Sequence, residues 1–160
     1  MNIFYLNSDP ERAAQLQYNK HVVKMILESA QLLCSAHIML GSEINVPYKL
    51  THKNHPSAVW VRTSRSNYAW LYFHMMALGK EYKKRYNKEH LTISKCRDVL
   101  SQTPGPIFNI GLTDMPQCMP DEYKVENDSV AAYRNYYINE KAHCANTNKE
   151  VLYTCASQFE

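Results

Sequence analysis

The segment 19–40, "NKHVVKMILESAQLLCSAHIML", constrains the fold of this chain more than any other stretch. At 100° per residue its apolar side chains fall within one broad sector of a helical wheel: Val22, Val23, Ile26, Leu27, Ala30, Leu33 and Cys34. The opposite side gathers a contiguous polar stripe: Lys20, His21, Lys24, Glu28 and Gln31. The spacing predicts a long amphipathic helix that ends at Gly41, because glycine readily adopts the left-handed conformation that terminates helices.

Two further helices are indicated by the chemistry of their first turns. In "SDPERAAQLQ", Ser8 or Asp9 would cap a helix whose first turn contains Pro10. A second pattern starts at Pro56 and continues to about residue 87, with a break near residues 63–66, where "TSRSN" contains a new capping residue. The candidate caps before the proline are Asn54 and His55.

The remaining segments complete a helical reading of the chain. "TISKCRDVL" and "NDSVAAYRNYYINEKAH" predict two more helices, the second capped at Asp128 or Ser129. Prolines and glycines make 101–120 an irregular connector, and only "NIFYL" is compatible with a short strand. We therefore predict an all-α fold, a compact single domain over residues 1–160 in which 141–160 forms a loosely ordered tail.

Cysteine and histidine spacing limits the compartment and the cofactors. The five cysteines are odd in number and lack a C-x-x-C spacing, which favours free thiols in a reducing cytoplasm over a disulfide framework. His52 and His55 have zinc-ligand spacing but no second ligand pair, so we predict no metal site and no cofactor. We also expect no signal peptide and no association with a membrane.

Charge is strongly segregated along the chain. Residues 49–97 contain eleven basic and two acidic side chains, a formal charge of +9, whereas residues 98–160 contain four basic and nine acidic ones, or −5. Such segregation creates a local positive field suited to phosphate groups. For "KEYKKRYNKEH" alone, a solvated lysine-rich helix is the alternative and the more common explanation.

Three segments of the chain combine cations with either a carboxylate or aromatic rings. The first of these segments is the polar stripe. Lys20, Lys24 and Glu28 are spaced four residues apart on the predicted helix. This spacing is typical of an ordinary surface ion pair. It also suits a carboxylate held among cations, which would take a proton or stabilise a positive charge developing on a sugar.

The other two segments lie around Pro56 and in the last helix. His55 at a helix start and Arg62 within the helix are candidate phosphate contacts, and Trp60 would either cover a base or fill the core. Tyr133 offers a flat face and Arg134 a bidentate fork, although half-buried tyrosines of a core would give the same pattern. Taken together, the three segments indicate a flat anionic aromatic ligand, that is, a nucleotide or a nucleic acid.

The chain also resembles a known family. The runs "NKHVVKMILESAQLL" (19–33), "NHPSAVW" (54–60) and "NYAWL" (67–71) are similar to small phage and bacterial proteins related to pyrimidine-dimer DNA glycosylases. "MPDEYKVENDSVAAYRNYY" (119–137) resembles the C-terminal part of the phage-encoded branch. The resemblance covers most of the chain up to about residue 141 and implies a compact all-α domain.

The resemblance also implies a mechanism. In well-understood members of the family an N-terminal amine attacks C1′ of a damaged nucleotide, assisted by a helical glutamate with basic residues around it. The glutamate maps onto Glu28, and the basic residues map onto Lys20, His21 and Lys24. His21 joins Glu28 as a candidate catalytic residue.

This chain departs from the family pattern at its start. Those members carry a small residue after methionine, so that the methionine is removed, whereas here Asn2 follows Met1. We expect the methionine to be retained, which would displace the amine by one residue, and a displacement of that order costs much of the rate. Lys20 or Lys24 would serve as the Schiff-base amine if burial lowered its pKa.

Two functions of different classes remain open at this stage. The first is a phage-encoded DNA glycosylase and lyase that acts on a damaged or modified base, with DNA as its partner. The second is a non-catalytic protein that sequesters a small signalling nucleotide of host anti-phage defence. Either would act in the cytoplasm of an infected bacterium, and the sequence leaves the oligomeric state open, a homo-oligomer included. The candidate nucleotide-binding residues are Lys20, Lys24, His55, Trp60, Arg62, Tyr133 and Arg134.

Overall fold

The computed structural model describes residues 2–144, and all its regular elements are helical. The α-helices are α1 (Pro10–Gln15), α2 (Asn19–Met39), α3 (Pro56–Thr63), α4 (Arg65–Tyr86), α5 (Leu91–Leu100) and α6 (Ser129–Glu140). Two 3-10 turns occupy Asp121–Tyr123 and Ala142–Cys144, and the described part of the chain contains no strand. The all-α prediction is therefore confirmed. The proposed tail lies mostly outside the described residues, so the single-domain boundary stays a prediction.

The core is built around the two long helices. α2 packs most extensively against α4, α1 packs on α4, and α3 and α5 each contact both long helices. Fully buried side chains from this seam include Val22, Ile26, Leu33, Leu71, Met75 and Leu78. Burying one such side chain contributes about 1.5–3 kcal/mol to the free energy of folding. Because these side chains hold α2 against α4, they also fix the orientation of the polar face of α2.

By length and composition alone, α2 would also be able to cross a membrane. However, 61% of its most apolar window is buried inside the protein, which is the normal situation of a central core helix. The expectation that the protein does not associate with a membrane stays a prediction.

The helix boundaries largely follow the local signals. Asp9 caps α1, its carboxylate accepting hydrogen bonds from the backbone N–H groups of Glu11 and Arg12, with Pro10 as the first helical residue. His55 caps α3, its Nδ1 accepting from the N–H of Ser57 at 3.1 Å.

The later boundaries follow the same rules. Asp128 caps α6 by accepting from the N–H of Ala131 at 2.9 Å. The predicted break near residues 63–66 is real, because Ser64 has an extended backbone (φ −145°, ψ 146°) between α3 and α4. α2 ends at Met39, and Leu40 separates it from Gly41, which has the left-handed backbone (φ +63°) expected after a helix.

The N-terminal "NIFYL" segment is not a strand, which corrects the sequence-based interpretation. Ile3, Phe4, Tyr5 and Leu6 are all buried, and side chains of other elements take the place of a partner strand. Gln17 Nε2 donates to the carbonyl of Ile3, and Arg134 Nε donates to the carbonyl of Leu6. Phe4 has a left-handed backbone (φ 57°) and its carbonyl accepts the N–H of Leu6 at 2.8 Å, so the segment turns where a strand would continue. Since buried backbone groups need partners, the bonds from Gln17 and Arg134 hold this turn inside the core.

The apolar sector of α2 is narrower than the helical wheel predicts. Val23 and Leu27 are each 38% exposed to solvent, while Val22 and Ile26 are fully buried. The wheel correctly identifies the buried face but extends it too far on one side.

The connector between α5 and α6 is irregular, as predicted, and it is fixed to the helices by side chains. The indole N–H of Trp60 donates to the carbonyl of Thr113 at 3.1 Å, and Asn67 exchanges two hydrogen bonds with Thr113. Further along, the side-chain amide of Asn2 donates to the carbonyl of Cys118 at 3.0 Å. The connector therefore runs over α3 and the start of α4 and reaches the beginning of the chain.

Candidate active site

A small cavity of about 190 Å³ opens where the start of the chain, α2 and the end of α6 meet. Three of its lining residues, His21, Lys24 and Glu28, belong to the polar stripe of α2, because their spacing places them on one helix face. The complete lining is Asn2, Phe4, His21, Lys24, Met25, Glu28, Tyr136 and Lys141. The structure therefore brings together three residues of the polar stripe with residues from the start of the chain and from the end of α6.

The carboxylate of the cavity belongs to Glu28. Its Oε1 lies 3.3 Å from Nζ of Lys24, and its side chain is 16% exposed compared with 64% for the lysine. Glu28 also contributes to the lining of the cavity. A largely covered carboxylate beside an exposed cation can accept a proton or stabilise a cationic sugar.

His21 is held rigidly in the wall of the cavity. Its Nδ1 lies 2.7 Å from the hydroxyl of Tyr137, and that hydroxyl also accepts the backbone N–H of Tyr18 at 2.8 Å. The imidazole stacks on Phe4 with 4.7 Å between the ring centroids. The Tyr137 hydroxyl therefore links the backbone of Tyr18 to the ring of His21.

Electrostatics around His21 show how the cations are arranged. Burial lowers the pKa of His21 to about 4, with further lowering from Lys141, Lys24, Lys20 and His143. His21 is therefore a neutral imidazole at physiological pH, which corrects its interpretation as one of the cations of the site. The same result shows that three lysines are close enough to this point to act on it.

Two cavity residues come from the far end of the chain. Nζ of Lys141, at the end of α6, lies 5.1 Å from the ring centroid of Tyr136, and both line the cavity. Tyr136 also packs on Tyr123, with 5.7 Å between the ring centroids. No local sequence signal links these residues to α2, because the contact is made across more than one hundred residues of chain.

His55 and Lys20 lie beside the cavity rather than in its lining. Burial lowers the pKa of His55, while Glu28 acts in the opposite direction, so the carboxylate is within electrostatic reach of the α3 cap. Lys20 is exposed one turn before Lys24 and contributes to the field at His21. The start of α3 therefore faces the same region as the polar stripe of α2.

The two candidate stacking residues are buried in the core. Trp60 is 4% exposed, its N–H is bonded to the connector, and its ring packs against Trp70. Tyr133 has no exposed surface, and its hydroxyl donates to the carbonyl of Pro116 at 2.8 Å. Neither residue presents a ring face to a ligand, so the stacking interpretation is wrong for both, and Tyr136 is the aromatic residue that the cavity exposes.

Two candidate phosphate-binding arginines are not part of the cavity. Nη1 of Arg62 donates to the carbonyl of Lys53 at 2.8 Å, and Arg134 is the residue that holds the carbonyl of Leu6. Arginine is well suited to such backbone anchoring because its fork carries several donors. Their positions correct the expectation that all the predicted cations would surround one ligand.

Some of the basic residues in the lysine-rich end of α4 and in α5 form ion pairs with nearby glutamates. Lys80 pairs with Glu11, and Arg97 pairs with Glu89, both in exposed positions. Arg85 and Glu81 form a buried pair at 2.9 Å, in which the arginine also binds the backbone of Gln17. Part of the positive charge of residues 49–97 thus serves structural ion pairs.

Among residues 2–144, no group of three or more His, Cys, Asp or Glu side chains is placed to hold a metal ion. The described cysteines are free thiols, and they are Cys34, Cys96, Cys118 and Cys144. For the chain as a whole, the absence of a metal or cofactor stays a prediction.

A comparison with known protein families identifies the class to which this fold belongs. Residues 1–94 match the family described as pyrimidine dimer DNA glycosylase, and the chain belongs to this family. The match contains α1–α4 and the α2 side of the cavity, whereas Tyr136 and Lys141 lie beyond it. Neither a curated protein nor a solved structure matches the chain.

Proposed function

We propose that the protein is a DNA glycosylase with lyase activity that acts on a damaged or modified base. The observation that carries the proposal is the Glu28–Lys24 pair, which lines a cavity at the chain start in a member of this family. Asn2 also lines the cavity, so the N-terminal segment contributes to the same site as the ion pair.

The reaction requires an amine and a carboxylate acting in sequence. The amine nitrogen forms a bond to C1′ while the bond from C1′ to the base breaks, and the base leaves with the bonding electron pair and takes a proton from water. The attached nitrogen then gives a proton to Glu28, which passes it to O4′ as the bond from C1′ to O4′ breaks, so that the ring opens and C1′ and the nitrogen form a protonated imine. In this scheme Glu28 stabilises the positive charge on the sugar and accepts the proton of the amine.

Two amines of the described residues are candidates for the nucleophile, because Lys24 and Lys141 line the cavity. Lys20, an alternative from the sequence, is exposed and absent from the lining, which makes it the weaker candidate.

The size of the cavity supports a base or sugar as the group it accommodates. Its volume of about 190 Å³ lies below the roughly 300–1,000 Å³ of pockets that enclose drug-sized ligands. An extruded base or abasic sugar would fit with its phosphates outside, among Lys20, Lys24 and Lys141. Sequestration of an entire small nucleotide, the alternative function, is not favoured by this volume and becomes an outcome of the test.

Borohydride trapping tests the proposal. Duplexes containing an abasic site, a pyrimidine dimer or a modified base are incubated with the protein, and borohydride reduces any imine to a stable adduct. We expect an adduct with at least one duplex, and mass mapping of the adducted peptide then identifies the amine. A complete absence of adducts across the panel would contradict the proposal, and recovery of a stoichiometric, unchanged small nucleotide from the purified protein would favour sequestration instead.

A further inference from the structure

The connector carries an exposed apolar ridge, which we define as Phe108, Ile110 and Leu112. Their side chains are 83%, 66% and 50% exposed, respectively. They occupy alternate positions, separated by Asn109, whose side-chain oxygen accepts hydrogen bonds from Ser64 and Ser66, and by Gly111, whose φ is +88°. Three large apolar side chains exposed within five residues mark an interaction surface more often than single exposed residues do.

The ridge is held firmly to the start of α4. The carbonyl of Phe108 accepts the backbone N–H of Arg65 at 2.9 Å, and the hydroxyl of Ser64 donates to the carbonyl of Gly111 at 2.6 Å. The same hydroxyl accepts the N–H of Ile110 at 3.2 Å. These hydrogen bonds fix the backbone of the ridge in one conformation. The ridge therefore does not lose backbone entropy when it binds a partner.

The sequence segments that carry the ridge and its helical neighbours contain cations and no carboxylates. The segments 44–80 and 99–113, which carry α3, most of α4 and the ridge, contain no Asp or Glu. Arg65 is exposed next to Phe108, and Arg62 is half-buried on α3, near Val59, which is 42% exposed. The nearest acidic residue along the connector is Asp114. An apolar ridge flanked by cations is complementary to a partner that has an anionic surface and an apolar interior.

We propose that the ridge inserts into the base stack of duplex DNA from the minor groove while the neighbouring arginines contact the phosphates. Proteins that kink DNA use Phe, Leu and Ile wedges of this kind together with arginine and lysine. The inference rests on the proposed function, since it assigns the ridge to the same DNA substrate.

Distances along the chain place the ridge within one DNA footprint of the cavity. α3 extends from the cap near Glu28 to the break that holds the ridge, and its eight residues rise by about 12 Å. Ser64 and Arg65 follow α3 and add at most about 7 Å, and the N–H of Arg65 donates to the carbonyl of Phe108. At about 3.4 Å per base pair, the ridge would insert no more than about six base pairs from the nucleotide in the cavity.

A second copy of this chain is a poorer occupant of the ridge. A two-fold interface would bring Arg62 and Arg65 of one copy close to the same residues of the other, without nearby carboxylates to compensate. Duplex DNA supplies the negative charge that the surface lacks.

The test uses Phe108→Ala, with Phe73→Ala as the matched control, because Phe73 is another exposed phenylalanine (59%), located on α4. The probe is a duplex with a non-cleavable abasic analogue and 2-aminopurine at successive steps on either side of it. The wild-type protein and the control should increase 2-aminopurine fluorescence at one step within about six base pairs of the analogue. Phe108→Ala should lose that increase and bind the duplex about tenfold more weakly.

Single-stranded abasic DNA separates this inference from the proposed function. There the ridge has no stack to enter, so Phe108→Ala should form the borohydride adduct as efficiently as the wild type. Unchanged duplex affinity and fluorescence in Phe108→Ala would overturn the ridge assignment, whatever the adducts show. Self-association that depends on Phe108, measured by sedimentation, would overturn it in favour of a homodimer. A third outcome is that no duplex forms an adduct while the fluorescence change still depends on Phe108. That outcome would refute the proposed lyase chemistry and support the assignment of the ridge to DNA.

Discussion

At the scale of single residues, the function depends on how Tyr137 organises the cavity wall. Its hydroxyl lies between the backbone N–H of Tyr18 and Nδ1 of His21, and its ring stacks on Tyr18. The hydroxyl therefore links α6 to the start of α2 and fixes the ring of His21, which lines the same cavity as Glu28. A single buried hydroxyl thus holds two sides of the proposed site together.

We expect Tyr137→Phe to destabilise the protein by about 1–3 kcal/mol, because a buried N–H and a ring nitrogen would lose their partner. Urea unfolding followed by circular dichroism measures this change. Tyr136→Phe is the matched control, since Tyr136 is half-buried on the same helix and should change stability by less than about 0.5 kcal/mol. Equal stabilities of the two variants would show that the Tyr137 hydroxyl is not the link described here.

The sequence identified some site residues and missed others for a physical reason. His21, Lys24 and Glu28 are close in sequence on one helix, so periodicity alone brings them together. Tyr136 and Lys141 join them through tertiary packing, which no local pattern encodes. Trp60 was misplaced because α3 has only eight residues, too few for periodicity to show that Trp60 faces the core while Val59 faces solvent.

At the scale of elements, helix starts were predictable and the path of the connector was not. Asp9, His55 and Asp128 cap their helices through bonds within three residues, so their sequence neighbourhood is sufficient. The connector, in contrast, obtains its shape from contacts such as Trp60–Thr113 and Ser64–Gly111, which link distant parts of the chain. The same contacts explain why an irregular segment is well defined.

Ser64 is the residue at which this element-scale account can be tested. Ser64→Ala removes a buried hydroxyl that donates to Gly111 and accepts from Ile110, and it should cost about 1–3 kcal/mol. Hydrogen exchange over residues 107–113 should accelerate more than exchange in the middle of α4, because the lost bonds hold the connector. Ser66→Ala, which removes one exposed hydrogen bond to Asn109, is the control and should have a smaller effect. Unchanged exchange over residues 107–113 in Ser64→Ala would contradict this role.

At the scale of the whole molecule, buried neutral histidines make stability depend on pH. Burial lowers the pKa of His74 to about 4, and Nδ1 of this ring lies 2.9 Å from the carbonyl of Pro10. The pKa of His21 is likewise lowered to about 4 by burial and by the cavity cations. In the unfolded chain both histidines would titrate near their ordinary value of about 6.5.

The sign of the pH dependence follows from these pKa values. Between about pH 6.5 and pH 4 the unfolded chain binds protons that the folded protein does not, so stability is complete above this range and falls as the pH decreases. The loss is at most about 3 kcal/mol per histidine, and less for His21, which keeps some access to water. Urea unfolding at pH 7.5 and pH 4.5 measures it. His21→Gln should flatten the profile, whereas the exposed His52→Gln should not, and equal stability at both pH values would contradict the account.

The catalytic role of Glu28 is the central claim about the molecule as a whole, because it depends on the fold bringing α2, α6 and the chain start together. The most direct test is a pair of measurements on Glu28→Gln with the DNA substrate that the wild type traps: the single-turnover rate and the affinity. Glu43→Gln, an exposed glutamate in the loop after α2, is the control. The account predicts a rate about 10²–10⁴-fold lower for Glu28→Gln, with DNA affinity and thermal stability close to wild type and with Glu43→Gln unaffected. A rate in Glu28→Gln equal to that of the control would contradict it.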